Sequence, residues 1–168
     1  MLATDTIDAQ GTLFFDMQKG VWSSELCALA GIKPPALPPL LRPTEVAGRI
    51  TVQAARETGL VEGTPVIAGC SDSAVEDYAA GAVESGQAII KIATAGNVNV
   101  MTDKPCPHER TLTYSHVIPG LWYTVTATNS AGVSKRWFRD LACADLGRGP
   151  DVYAAMDADA ARSPAGVA

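Results

Sequence analysis

Short apolar strand candidates alternate with helical stretches, and this alternation predicts an α/β chain of mixed strand direction. The first half reads strand, helix, strand, helix. The second half reads hairpin, hairpin, helix. Composition agrees: of 168 residues, 47% are hydrophobic and 18% charged, enough apolar material for a core.

Thr12-Leu13-Phe14-Phe15-Asp16 is a strand candidate, Gln18-Lys19-Gly20 a turn, and Val21-Trp22 resumes extension. Ser23 and Ser24 offer N-caps for a helix through Leu26, Ala28 and Leu29 that Gly31 ends. Pro34, Pro35, Pro38, Pro39 and Pro43 then forbid helix and central strand, so an ordered extended connector is expected. Val46–Ile50 is a short strand. Thr51 caps a helix through Ala54, Ala55 and Thr58 that Gly59 closes.

Pro65-Val66-Ile67-Ala68-Gly69 is apolar and bounded by turn residues, which predicts a buried strand. After Cys70-Ser71-Asp72-Ser73 comes a helix with Val75, Tyr78, Ala79 and Ala82 on one face, broken at Glu84-Ser85-Gly86. Residues 87–93 and 97–101 form a pair around Thr94-Ala95-Gly96, and 111–117 and 121–127 another around Pro119-Gly120. The next helix has an apolar stripe of Val133, Trp137, Phe138 and Leu141. Its basic face of Lys135, Arg136 and Arg139 reads as solvated, with Arg136 paired to Asp140. A last helix is expected over 152–161.

Several function classes are set aside. The net charge is −5. Residues 1–84 carry −6 and the remainder +1, so nucleic acid is not an expected partner. No apolar run reaches membrane-spanning length, and residues 1–5 lack a signal-peptide pattern, so a cytoplasmic location and no membrane partner are expected. No C-x-x-C pair or ligand cluster predicts a metal-holding set, and Cys27, Cys70, Cys106 and Cys143 read as reduced thiols. Neither G-x-G-x-x-G nor a P-loop is present.

Two places carry polar residues that a plain core does not need. Asp72 follows the carboxyl end of a strand and opens a helix, where a carboxylate can accept a proton from a hydroxyl. Its plainer reading is a helix cap, with Ser73-x-x-Glu76 in capping-box spacing. The second place is the glycine turn Ala93-Thr94-Ala95-Gly96, which can offer N–H groups and a hydroxyl to phosphate. Its plainer reading is a hairpin turn. Together they suggest phosphoryl transfer, which needs a base and phosphate-oxygen donors.

Three stretches, Pro43-Thr44-Glu45-Val46-Ala47-Gly48, Glu57-Thr58-Gly59-Leu60 and residues 63–72, closely resemble the FGGY carbohydrate kinases, most nearly xylulokinase-like members. So do Thr4-Asp5, Asp8–Thr12, Phe15-Asp16 and residues 135–140. The resemblance implies an actin-like, ribonuclease-H-type fold of two lobes that hold ATP with Mg2+ and a sugar or polyol. It implies Asp72 as general base, Ser73 as a substrate contact, and Ala93, Thr94, Ala95 and Gly96 at the nucleotide phosphates. The family's Gly-Thr-Ser reads Ala93-Thr94-Ala95 here, keeping only the central hydroxyl.

The family's first phosphate turn, Asp-x-Gly-Thr, has no counterpart, nor does its adenosine segment. The resemblance therefore implies the central part of a kinase. Residues 1–84 would end the sugar-binding lobe and residues 85–168 would begin the nucleotide-binding lobe. The parent protein would phosphorylate a xylulose-like ketose, and this chain alone would be inactive. The alternative is a non-catalytic binding or structural module on the same fold. Homodimerisation is left open.

Overall fold

The computed structural model describes residues 2–33, 36–146, 149, 151–164 and 166. Pro34 and Pro35 of the expected connector, and Ala165 after Pro164, lie outside the described residues.

The chain divides into two compact units, residues 1–89 with 99–125, and residues 90–98 with 126–168. In the first unit, β1 (Thr4–Asp5) pairs in parallel with β4 (Leu40–Leu41). A 3-10 helix, Asp8–Thr12, precedes the predicted strand and takes only its first residue, Thr12. Asp5 Oδ1 accepts bonds from the backbone N–H groups of Ile7 (2.8 Å) and Asp8 (3.0 Å) and turns the chain into this helix, and Leu13 beyond it is left-handed, at φ 64°. The strand is reduced to β2 (Phe15–Asp16), antiparallel to β3 (Val21–Trp22). Helix α1 (Ser24–Leu29) is capped by Ser23, whose hydroxyl accepts from Leu26 N–H. Trp22 Nε1 donates to the Pro38 carbonyl at 2.8 Å and fastens the connector.

β5 (Val46–Arg49) and β6 (Pro65–Ile67) form an antiparallel ribbon with a register shift between Val46 and Gly48. Between them, α2 (Val52–Thr58) starts on the Thr51 hydroxyl and ends at Gly59, φ 77°. The predicted burial of β6 is not found. All three of its residues are exposed, Ile67 at 55%. The ribbon has two strands, and among the described residues no third strand pairs with it beside Val66 and Ile67.

Helix α3 (Asp72–Ala79) also differs from its predicted face. Ala74 and Asp77 are buried, whereas Val75 and Tyr78 are 47% and 52% exposed. The helix stops earlier than expected, at Ala80, because Gly81 takes φ 84°. Ala82 is buried, but in the chain beyond the helix. The core gathers Ile7, Ala74, Ala82, Met101, Leu121 and Tyr123.

Four strands form one sheet in the order β7 (Ala88–Ile92), β8 (Gly96–Thr102), β10 (Trp122–Thr128), β9 (Leu112–Ser115). β9 and β10 are antiparallel, with Tyr123 opposite Tyr114.

In the second unit, α4 (Gly132–Ala142) packs with α5 (Asp151–Ala160), which buries Val152 and Met156. The predicted apolar stripe of α4 is not core. Trp137, Phe138 and Leu141 are 64%, 51% and 66% exposed. The face turned toward α5 is instead polar and aromatic. Lys135 Nζ meets Asp157 at 2.5 Å, and Arg139 donates to the Tyr153 hydroxyl at 2.7 Å. Both cations also lie over the Tyr153 ring. The expected solvated basic face is thus partly engaged. Asp140 pairs with Arg139 at 2.7 Å rather than with Arg136.

Candidate active site

Asp72 is the first residue of α3. The N-cap is Ser71, which makes no side-chain capping bond. The plain cap reading of Asp72 is therefore displaced by one residue. Its carboxylate accepts the neighbouring Ser73 N–H, at 2.7 Å. Gly69, at φ 80°, turns the chain from β6 toward this helix.

Asp72 lines a cavity of about 300 Å³ with Ser71, Ser73, Asp8, Tyr114 and Tyr123. All belong to the first unit. Asp8 and Asp72 are both exposed, so their carboxylates are open to a ligand. Partial burial holds the Asp8 carboxyl above its ordinary range. The charge of Asp5, a hydrogen bond with Asp5 and the charge of Asp72 push the same way. Burial drives the Tyr123 phenol strongly upward, against a hydrogen bond with Ser71. It stays neutral and can anchor Ser71 at the head of α3. Cys70 is raised by burial and then by Asp5 and Asp8, so it is a poor nucleophile.

Asp8 is the site residue that sequence reading missed. It lies three residues past the end of β1, as Asp72 lies five past the end of β6. The same test, a carboxylate just past a strand, finds both once the two-residue strand Thr4–Asp5 is known.

Ala93, Thr94, Ala95 and Gly96 lie in the second unit, at the turn between β7 and β8. Ala93 N–H bonds the Ala95 carbonyl at 2.8 Å and closes the turn. Its outward carbonyls cap α4. Ala93 O accepts from Gly132 N–H at 2.8 Å, and Thr94 O accepts from Ala131 at 2.9 Å and Val133 at 3.3 Å. Those amides of α4 are therefore spent inside the protein. Gly132 is required at this approach, because a Cβ there would lie 2.6 Å from Ala93 O. Beside the turn, Thr94, Lys135, Arg136 and Tyr153 line an open cavity of about 330 Å³. A hydroxyl and two cations suit the phosphates of a nucleotide.

Among the described residues no group of three or more His, Cys, Asp or Glu could hold a metal ion. All four cysteines are free. No helix among the described residues is long and apolar enough to cross a membrane.

The fold is that of the actin-like, ribonuclease-H-like sugar kinases. Over 98% of this chain it superposes on a third (33%) of the xylulose kinase from Rhodospirillum rubrum, with TM-score 0.90 and 32% identity. It superposes likewise on 33% of the ligand-bound xylulose kinase from Lactobacillus acidophilus, at 98% coverage, TM-score 0.86 and 25% identity. Residues 1–77 match the model of the FGGY family of carbohydrate kinases, N-terminal domain. The autoinducer-2 kinase of Yersinia enterocolitica is 34% identical over 98% of this chain and 32% of its own length. The chain is thus homologous to the FGGY carbohydrate kinases, and spans about a third of the length of the relatives it matches.

Proposed function

We propose that this chain is a working part of an ATP-dependent kinase for a sugar or polyol, with Asp72 as the general base. The observation that carries the reading is the Asp72 carboxylate, which heads α3, is exposed and opens on a cavity. A base must be within reach of solvent-borne substrate and free to accept a proton.

Asp72 takes the proton of the substrate hydroxyl as that oxygen bonds to the γ-phosphorus and the bond from phosphorus to the ADP oxygen breaks. Ser73 holds a neighbouring hydroxyl. Thr94 and the Ala93-Thr94-Ala95-Gly96 turn, with Lys135 and Arg136, hold phosphate oxygens. Mg2+ bound with the nucleotide would offset phosphate charge, while Thr94, Lys135 and Arg136 would hold the same phosphates from the protein side. In this reading residues 1–84 end the sugar-binding lobe and residues 85–168 begin the nucleotide-binding lobe, in a cytoplasmic enzyme.

The named relatives are kinases of autoinducer-2 and of xylulose, which supports a small hydroxylated acceptor, with a ketose such as xylulose first. A non-catalytic module on the same fold is not favoured. The test is ATP-dependent phosphorylation in a full-length kinase carrying this chain, screened against pentuloses, hexuloses and polyols. Turnover of one of them supports the reading. Binding without any turnover across the screen opposes it.

A further inference from the structure

The cavity at Asp72 has a charge character that the sugar-kinase reading does not by itself require. Asp8 and Asp72 both line it, and the remaining polar groups around it are the hydroxyls of Ser71, Ser73, Tyr114 and Tyr123. No cationic side chain lines it among the described residues. The neighbouring polar groups are occupied elsewhere. Asp5 Oδ1 is bound to two backbone N–H groups, and Gln10 holds the Thr6 carbonyl, Ser115 N–H and the Ser115 hydroxyl. Asp8 thus stands as the second carboxylate of the cavity.

We infer that Asp8 is a specificity-determining residue of this site, accepting a hydroxyl of a neutral, polyhydroxylated substrate and turning away substrates that carry a carboxylate or phosphate. The inference rests on the reading of the Asp72 cavity as the acceptor site. Its physics is direct. Hydroxyls donate to carboxylates, and charge-assisted hydrogen bonds are the stronger kind. A third negative charge brought between Asp8 and Asp72 meets repulsion from both. Both carboxylates line the one cavity, and the charge of Asp72 adds to the burial and the Asp5 charge that raise the Asp8 carboxyl.

The experiment uses the 168-residue chain, labelled for NMR, titrated with D-xylulose and with D-gluconate. The expected result is that D-xylulose shifts the amides of Gly11 and Ser71–Ser73, and that D-gluconate binds more weakly. Asp8→Asn, which keeps the side-chain shape, then tightens D-gluconate about fivefold, the size of one unit-charge repulsion at contact in water. It weakens D-xylulose about fivefold, because the charge-assisted hydrogen bond to its hydroxyl becomes a neutral one. Unchanged shifts far from the cavity show that the variant is folded. If D-gluconate seats as tightly as D-xylulose on both proteins, the charge-selection claim is overturned while the acceptor-site reading stands. If neither probe moves these amides, the acceptor-site reading fails and the inference falls with it.

Discussion

Asn99 Nδ2 donates a 2.7 Å hydrogen bond to Asp77 Oδ2, and neither side chain is exposed to solvent. The pair ties the buried face of α3 to strand β8. It also explains why α3 presents Asp77 inward and leaves Val75 outside. A buried carboxylate is costly unless it is hydrogen-bonded. The first prediction follows. Asn99→Ala destabilises the chain by about 2–3 kcal/mol, because Asp77 loses a donor it cannot replace with water. Urea unfolding measures it, and a double-mutant cycle with Asp77→Ala returns a coupling of about 1 kcal/mol or more. A cycle without coupling contradicts the bond.

His116 supplies the second prediction. It is 4% exposed, its Nδ1 accepts Ile118 N–H at 3.1 Å, and it sits among Asp77, Tyr78 and Tyr123. Burial holds the imidazole below its ordinary value of 6.5, with the Asp77 charge opposing. A base with a depressed folded pKa gives its full stability above 6.5, where both states are neutral. Stability falls as pH drops below that value, because the unfolded chain takes up the proton first. The urea midpoint therefore declines between about pH 7 and pH 5.5, and His116→Gln has a shallower decline. Equal slopes in the two proteins contradict it.

Gly132 supplies the third. Its missing side chain leaves room for Ala93 O, which a Cβ would approach to 2.6 Å. Gly132→Ala pushes the Thr94 turn away from the head of α4 at a cost of about 1–3 kcal/mol. Hydrogen exchange at the Val133 amide, bonded to Thr94 O, speeds up most.

Thr51 supplies the fourth. Its hydroxyl accepts Ala54 N–H at 3.1 Å and starts α2. Thr51→Ala costs about 1 kcal/mol in urea unfolding. Thr51→Ser costs little, since the acceptor oxygen is kept.

These predictions separate what the sequence shows from what it does not. Signals within a few residues were readable. Ser23 and Thr51 cap their helices, Gly59 ends α2, and the two hairpins turn where glycine and proline stand. Burial direction was not readable where a distant partner decides it. Asp77 is buried because Asn99 lies 22 residues on, and no periodicity in α3 shows that. Lys135 and Arg139 face Tyr153 because an aromatic and a carboxylate on α5 receive them, against the apolar count of α4. Asp72 stood out because an apolar strand candidate precedes it. Asp8 did not, because β1 is two residues long and leaves no pattern.

The central claim is that Asp72 is the proton acceptor of a sugar kinase, and steady-state phosphorylation of the best acceptor by a full-length kinase carrying Asp72→Asn tests it most directly. Removing a positioned base lowers kcat by about 10²–10⁴-fold while KM changes only a few-fold. An Asp72→Asn enzyme that turns over its acceptor as fast as the original contradicts the account.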